Sequence, residues 1–427
     1  MKRAMGLRLK SSSTEEYKDY VENPVLSYAF NKKEGKLQVL MGLILVITTL
    51  FTFLASFIYG FKPEEIIRNT VVGFICGGII IYMLLDASQR KLFSYDNGQK
   101  RNRFVFVYFI CLIVAVFLPL ISFEVWPYVF MFLILGLFST NEIGLFSGST
   151  LLFISVLLEK DGSYSEFFIY FIAGAVVLVL LRDLNETTKI SVPIFVTLTI
   201  LLVLIVGFDV LFQNRTFSLT MLIVPMVNIL MNLILMMITL NIFGIYVIRK
   251  SNDRYMDIND TEFPLLVKLK ETDKDAYFRA IHIAYLAERI ALDLNLNARA
   301  VKTMSYYYKI GVIDGSTTWD EVKHFYIENN FPEEAMTYLK EYIEDDKKKQ
   351  LSKEAAIIYM SDTLIASILY LFKKDKDAKI DYDDLIEKIF QHKTENKELY
   401  RYNISLYELD HMKSLMKKEK LYYDFLR

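Results

Sequence analysis

Residues 217–248 read FSLTMLIVPMVNILMNLILMMITLNIFGIYVI, and residues 249–276 read RKSNDRYMDINDTEFPLLVKLKETDKDA. The first string is apolar over about 30 residues, more than the ~20 that a membrane-spanning helix needs. The second is densely charged. The change falls between Ile248 and Arg249, and it divides the chain into a membrane part and a polar part. Of the 49 Lys and Arg, 30 lie after position 248, as do 33 of the 50 Asp and Glu. The mean hydropathy of +0.29 is therefore an average of two unlike halves. This distribution excludes a single soluble globule, a disordered charged chain and a coiled coil. A net charge of -1 with no basic stripe excludes a strongly charged nucleic-acid binder, so no nucleic acid is expected as a partner.

Upstream of the junction, seven more apolar runs are candidates for spanning helices: 37–60, 69–85, 104–123, 126–138, 143–158, 167–181 and 190–212. With 217–248 they make eight spans, of which the fourth and fifth are the least clearly separated. Lys and Arg collect on the cytoplasmic side of a membrane. They are concentrated in the tail 1–36 and in the loop that holds Arg90, Lys91, Lys100, Arg101 and Arg103. The alternate loops, 61–68, 123–125, 159–166 and 213–216, are short and poor in base. Both termini are then expected in the cytoplasm. The tail lacks an apolar h-region beside a small-residue cleavage site and does not read as a cleaved signal peptide. Cys76 and Cys111 both lie in apolar runs and form neither a disulfide framework nor a metal pair.

Few polar groups lie within the spans. Asp209 is expected at the interfacial end of the seventh. Ser147, Ser149, Thr150, Thr197 and Thr199 are expected to hydrogen-bond between helices, and Asn228 and Asn232, one turn apart, to hold the last span against its neighbours.

After Arg249 the apolar spacing becomes helical. It predicts helices over 275–294, 298–310, 319–329, from Pro332 onward, 354–372, 381–391 and 405–418. Ser352 reads as an N-cap and Ser405 to Glu408 as a capping box. No strand-like stretch occurs. The expected fold class is all-α: a cytoplasmic N-terminal tail over 1–36, a transmembrane domain over 37–248 and a cytoplasmic helical domain over 249–427. No GxxxxGK, HExxH or GxSxG motif is present. The four histidines, His282, His324, His392 and His411, are dispersed.

The order of segments is more specific than any one of them. Pro264-Leu265-Leu266 comes first, then Leu286-Ala287-Glu288, then Tyr306-Tyr307-Tyr308-Lys309-Ile310-Gly311. Pro332-Glu333-Glu334 follows, and then Glu354-Ala355-Ala356-Ile357-Ile358-Tyr359-Met360-Ser361-Asp362. This order is similar to that of the bacterial seven-transmembrane HD family, the membrane-bound cyclic di-AMP phosphodiesterases. The resemblance covers about residues 256–415. The 1+7 layout of spans also matches, with 61–68 where the family carries a large extracytoplasmic domain.

That family holds two divalent transition metals on His and Asp ligands, and a metal-activated water attacks the phosphate. Carried over by position, the first ligand histidine falls at Phe278 or Arg279. The signature His falls at Tyr308 and its Asp at Lys309. One alignment places an intervening His at Thr318, and the paired histidines fall at Tyr342 and Ile343. Only Asp362 keeps the family's residue. The resemblance thus implies a degenerate HD domain with no metal cofactor and no catalytic residues, in which a Lys309–Asp362 salt bridge stands in for the metals. A membrane signalling or regulatory protein follows, embedded in the lipid bilayer of a bacterial cell. Its expected partners are a cyclic dinucleotide such as cyclic di-AMP or an active homologue, and it is free to form oligomers. Two alternatives stay open. One is an active phosphodiesterase with an atypical site drawn from His282, Asp314, His324, Glu328 and Asp362. The other is a transporter or channel with a cytoplasmic regulatory domain.

Overall fold

The computed structural model describes residues 42–90, 92–98, 100–160, 164–182, 184, 189–212, 216–344, 350–375 and 379–426. The expected cytoplasmic tail lies outside them. Among the described residues the fold is all-helical, with no strand. The chain forms two compact units, Met1–Phe243 and Gly244–Arg427.

The first unit contains eight apolar helices among the described residues. They are α1 (Gly42–Ile58), α2 (Pro63–Gln89), α3 (Asn102–Phe117), α4 (Tyr128–Leu137), α5 (Asn141–Leu158), α6 (Tyr164–Leu180), α7 (Ser191–Leu211) and α8 (Ile223–Phe243). Several are long and apolar enough to cross a bilayer, and they are the helices of a membrane protein. Their outward faces carry large apolar side chains such as Phe57, Phe106, Val179, Phe195 and Leu230. Exposed greasy side chains at this density suit a lipid solvent and would aggregate in water.

The fourth run behaves differently from its neighbours. At 10 residues, α4 is about 15 Å long, half of a ~30 Å hydrocarbon core. It is also deeply enclosed, with Tyr128, Val129, Met131, Phe132 and Leu135 fully buried. The chain enters it through two short 3-10 turns, Leu118–Leu120 and Phe123–Val125. Irregular backbone frees carbonyls and N–H groups that a helix would pair internally, and in an apolar setting each must find a partner. Side chains supply them. Trp126 Nε1 donates to the carbonyls of Leu118 (2.9 Å) and Ile121 (3.2 Å). Tyr170 donates to Phe123 O at 2.5 Å. Asn228 Nδ2 reaches Glu124 O (2.7 Å), Trp126 O (3.1 Å) and the Tyr170 hydroxyl (2.8 Å). Asn232 Oδ1 accepts the Phe130 N–H at 3.1 Å. The two asparagines of α8 thus complete a broken stretch of backbone as well as joining helices.

The hydroxyls expected to bridge helices mostly do not. Ser147, Ser149, Thr150, Thr197 and Thr199 donate to carbonyls of their own helix, four residues back. Such back-bonding satisfies an isolated hydroxyl at any depth without needing a neighbour. Bonds between helices come instead from Thr48 to Tyr108 (3.0 Å), Asn69 to Ser56 (3.1 Å) and Ser155 to Ala115 O (2.6 Å). Asp209 is buried near the end of α7.

Helices α4 and α5 approach so closely that Gly144 has no room for a side chain. A Cβ there would overlap Gly136 Cα and lie 2.6 Å from Gly136 N. Gly144→Ala must push two backbones apart and is expected to destabilise the first unit by about 2 kcal/mol. Gly78→Ala meets nothing within 4 Å and is expected to be neutral. Thermal unfolding of both variants in detergent checks the contrast.

The second unit opens with a π-helical turn, Gly244–Arg249. Its helices are α9 (Lys250–Ile258), α10 (Pro264–Thr272), α11 (Lys274–Asp293), α12 (Ala298–Tyr307), α13 (Trp319–Glu328), α14 (Glu333–Glu344), α15 (Lys353–Lys374), α16 (Tyr382–Glu395), α17 (Leu406–Lys418) and α18 (Lys420–Tyr423). Local sequence sets their starts. Asp273, Asn297, Ser352 and Asp381 each cap a helix with a side-chain oxygen, and Ser405 with Glu408 forms the capping box read from the sequence. Helix α15 is long and apolar enough to span a membrane, yet it is a core helix here. Ile357, Ile358, Leu364, Ile365 and Ile368 are fully buried in the unit's own core, and Lys373 and Lys374 face its C-terminal dipole.

Candidate functional site

Helix α11 packs against both α12 and α15. This brings α11 residues, the end of α12 and the middle of α15 to one place. Helix α12 ends at Tyr307, so Tyr308 and Lys309 lead into the 3-10 turn Ile310–Ile313. Gly311 is required in that turn, because a Cβ would overlap the Ser316 carbonyl oxygen.

Asp362 of α15 lies at the centre. Arg279 of α11 directs Nε (2.6 Å) and Nη2 (2.5 Å) at its Oδ1. The Tyr308 hydroxyl donates to the same oxygen at 3.0 Å. The Tyr342 ring of α14 meets the Tyr308 ring edge-on, with centroids 5.6 Å apart. Lys309 Nζ stands 5.4 Å from the centre of the Tyr308 ring. Burial, and then the Asp362 charge, raise the Tyr308 phenol far above its ordinary pKa. It stays protonated and serves as a donor. Burial pulls the Lys309 ammonium below its ordinary value, against the attraction of Asp362.

The salt bridge expected between Lys309 and Asp362 does not form among the described residues; Arg279 takes that place. Helix α11 lies directly against α15, so a guanidinium on it meets the carboxylate first and offers two N–H groups to one oxygen. Lys309 sits beyond the end of α12 and takes the face of the Tyr308 ring.

Of the eight positions taken from the sequence, five meet here: Arg279, Tyr308, Lys309, Tyr342 and Asp362. The other three are elsewhere. Phe278 is 52% exposed, with its ring against Tyr277. Thr318 is exposed at the N-cap of α13, where the Glu321 carboxylate takes the N–H groups of Thr317 and Thr318. Those two bonds hold Glu321 below the usual carboxylate range. Ile343 packs on the core. The alternative catalytic set does not assemble. His282 Nδ1 lies 2.7 Å from the Tyr422 hydroxyl, and burial lowers its pKa. His324 is exposed, with Nδ1 2.7 Å from Glu321 O. Asp314 caps its own turn through the Ser316 N–H, and Glu328 is exposed. Among the described residues no three His, Cys, Asp or Glu gather as a metal set.

These residues do not fit a pair of divalent ions. The one carboxylate has three donors on Oδ1, and a guanidinium and an ammonium stand where further anionic or imidazole ligands would be needed. A second feature escaped the sequence reading. Glu334 is enclosed, bonded to Asn297 Nδ2 (2.7 Å) and the Tyr338 hydroxyl (3.3 Å), and burial raises its pKa. Neither this nor the Arg279–Asp362 pair has a local sequence signal, because each joins residues far apart in the chain.

Fold and site together define a membrane-spanning, all-helical protein with a polar helical unit built around a buried-edge ion pair. No protein-family model matches the chain, and no curated protein matches it. Among solved structures it is similar to the HD domain of the L. monocytogenes phosphodiesterase PgpH, at 17% identity over 36% of this chain and 96% of that chain, with a TM-score of 0.29. A likeness at that score carries neither fold nor activity across.

Proposed function

We propose that the chain is a bacterial membrane regulatory protein whose second unit is a degenerate HD domain on the cytoplasmic side. In this reading it does not hydrolyse phosphodiesters. It acts by binding, with a cyclic dinucleotide such as cyclic di-AMP or an active homologue as the candidate partner. The observation that carries this reading is the state of Asp362. The one carboxylate retained from the family's ligand set is held by Arg279 and Tyr308. A divalent ion at Oδ1 would have to displace a guanidinium, and the neighbouring Lys309 would repel it. The order of motifs along residues 256–415 supports the HD assignment, and the basic loop after α2 supports the orientation.

Elemental analysis and a hydrolysis assay test this. The purified full chain, incubated with Mn²⁺ and washed, is expected to hold no stoichiometric transition metal. It is expected to cleave cyclic di-AMP no faster than buffer does. Two metals per chain, with turnover that Asp362→Ala abolishes, would establish the active-enzyme alternative.

A further inference from the structure

Residues 419–426 lie against α11 through a row of polar contacts. The Tyr422 ring stacks on the Tyr285 ring, with centroids 3.9 Å apart. Its hydroxyl meets His282 Nδ1 at 2.7 Å, and those two rings stand edge to face. Glu419, 8% exposed, accepts from Arg289 Nε at 2.9 Å and from the Tyr285 hydroxyl at 3.3 Å. Arg289 Nη1 donates to that same hydroxyl at 2.8 Å. His282, Tyr285 and Arg289 are three and four positions apart along α11, so one helix face makes all of these bonds. Tyr423 and Leu426 anchor the segment in the core. Burial raises the Tyr422 phenol above its ordinary pKa. The hydroxyl therefore stays protonated and donates, and Nδ1 accepts. Among the described residues no carboxylate bonds His282. From α12, Tyr306 faces Tyr422. Arg279, one turn before His282, is paired with Asp362 of α15. Lys270 of α10 lies over the Tyr277 ring, and His411 of α17 pairs with Asp293 at the C-terminal end of α11.

We infer that residues 419–426 form a proton-sensitive clasp on α11, with the His282–Tyr422 contact as its catch. A proton on Nδ1 turns an acceptor into a donor, and the phenol must rotate its own proton away. The resulting imidazolium is half-buried, has no carboxylate partner and stands one turn from the Arg279 guanidinium. The clasp therefore closes on neutral His282. Burial lowers the His282 pKa from its ordinary value, so the released segment leaves a histidine that binds a proton more readily. Docking is then strongest above about pH 6.5 and weakens as pH falls below it, until the lowered value is passed. The inference does not depend on the reading of Asp362.

The test uses the full chain in phosphatidylcholine nanodiscs. Amide hydrogen exchange followed by mass spectrometry, corrected for intrinsic rates, reads the protection of residues 419–426 at about pH 7.5 and about pH 5.5. In wild type the protection should fall at least about threefold on acidification. His282→Gln offers Tyr422 an acceptor that does not titrate, and its protection should change by less than about 1.5-fold. His411→Gln should keep the wild-type fall, since its pair with Asp293 lies at the other end of α11. Exchange at the histidine C2 position is a second measurement, made on wild type alone, in which His282 should titrate below about 6.5. No fall in wild type, an equal fall in His282→Gln or loss of the fall in His411→Gln overturns the inference. So does a His282 titration at or above the ordinary histidine value. None of these outcomes bears on Asp362, whose tests are metal content and hydrolysis.

Discussion

Asp362→Ala is expected to destabilise the second unit by about 3 kcal/mol. The side chains of Asp362 and Arg279 are 17% and 29% exposed, so solvent screens the pair only in part. Removing the carboxylate leaves the Arg279 guanidinium and the Tyr308 hydroxyl enclosed without their acceptor, next to the Lys309 ammonium. Breaking a buried pair from one side costs about 3–5 kcal/mol, and the partial exposure of Arg279 places this case at the low end. Hydrogen exchange followed by mass spectrometry supplies the measurement. The slowest amides of α15 should exchange about a hundredfold faster, the factor equivalent to that loss. Removing both charges should cost much less, because no ion is stranded. The double variant Arg279→Met with Asp362→Leu is therefore expected to recover most of the protection. A single-variant change under threefold would mean that the pair does not anchor α15.

Asn228→Leu is expected to cost about 3 kcal/mol in the first unit. The volume hardly changes, so the effect isolates the amide. Its Nδ2 serves Glu124 O and Trp126 O, in backbone that has no helical partners. Each carbonyl stranded in an apolar interior costs about 1–3 kcal/mol. Single side-chain bonds between membrane helices usually contribute less, near 0.6 kcal/mol, because the unfolded helix finds other partners. The larger figure here follows from the acceptors being broken backbone, which cannot re-pair within a helix. Thr199→Ala is the control. That hydroxyl bonds only the Phe195 carbonyl on an exposed face, and its loss should change stability by less than about 0.5 kcal/mol. Unfolding in mixed micelles with rising dodecyl sulfate reads both variants. Equal midpoints would show that α4 does not depend on Asn228.

Much of the architecture was legible in the chain itself. Most apolar runs mark the helices of the first unit to within a few residues, but 104–123 and 217–248 overrun Asn102–Phe117 and Ile223–Phe243 into short 3-10 or π-helical turns, and 69–85 proved to be the centre of the longer Pro63–Gln89. Charged residues at its ends had shortened the apparent run. The caps at Ser352 and Ser405 were readable because capping is local. Helices α9 and α10 escaped notice because each is under three turns long, and Lys, Glu and Asp obscure their apolar face. The shortness of α4 was visible as a doubtful span. Its role was not, because the groups that complete its entry lie about 100 residues away on α8.

The candidate site divides in the same way. The order of segments drew attention to Tyr308, Lys309 and Tyr342, and the structure brings them together around Asp362. Which cation would meet Asp362 was not readable, and the expectation chose Lys309. Distance along the chain gives no preference between Lys309 and Arg279, whereas the packing of α11 against α15 does.

The sequence alone determined the all-helical class and the contrast between an apolar and a polar part; it placed the division at Ile248 and Arg249, whereas the structure divides the chain between Phe243 and Gly244. Class and contrast follow from hydropathy, periodicity and residue identity, which act over a few neighbouring residues. Tertiary structure decided that α15 is a core helix despite its span-like composition, that Asn228 completes broken backbone, and that Arg279 holds Asp362. Each of these depends on which partner a group finds once water is excluded. In an enclosed setting the partner determines whether a polar group stabilises or destabilises, and the partner comes from another part of the chain.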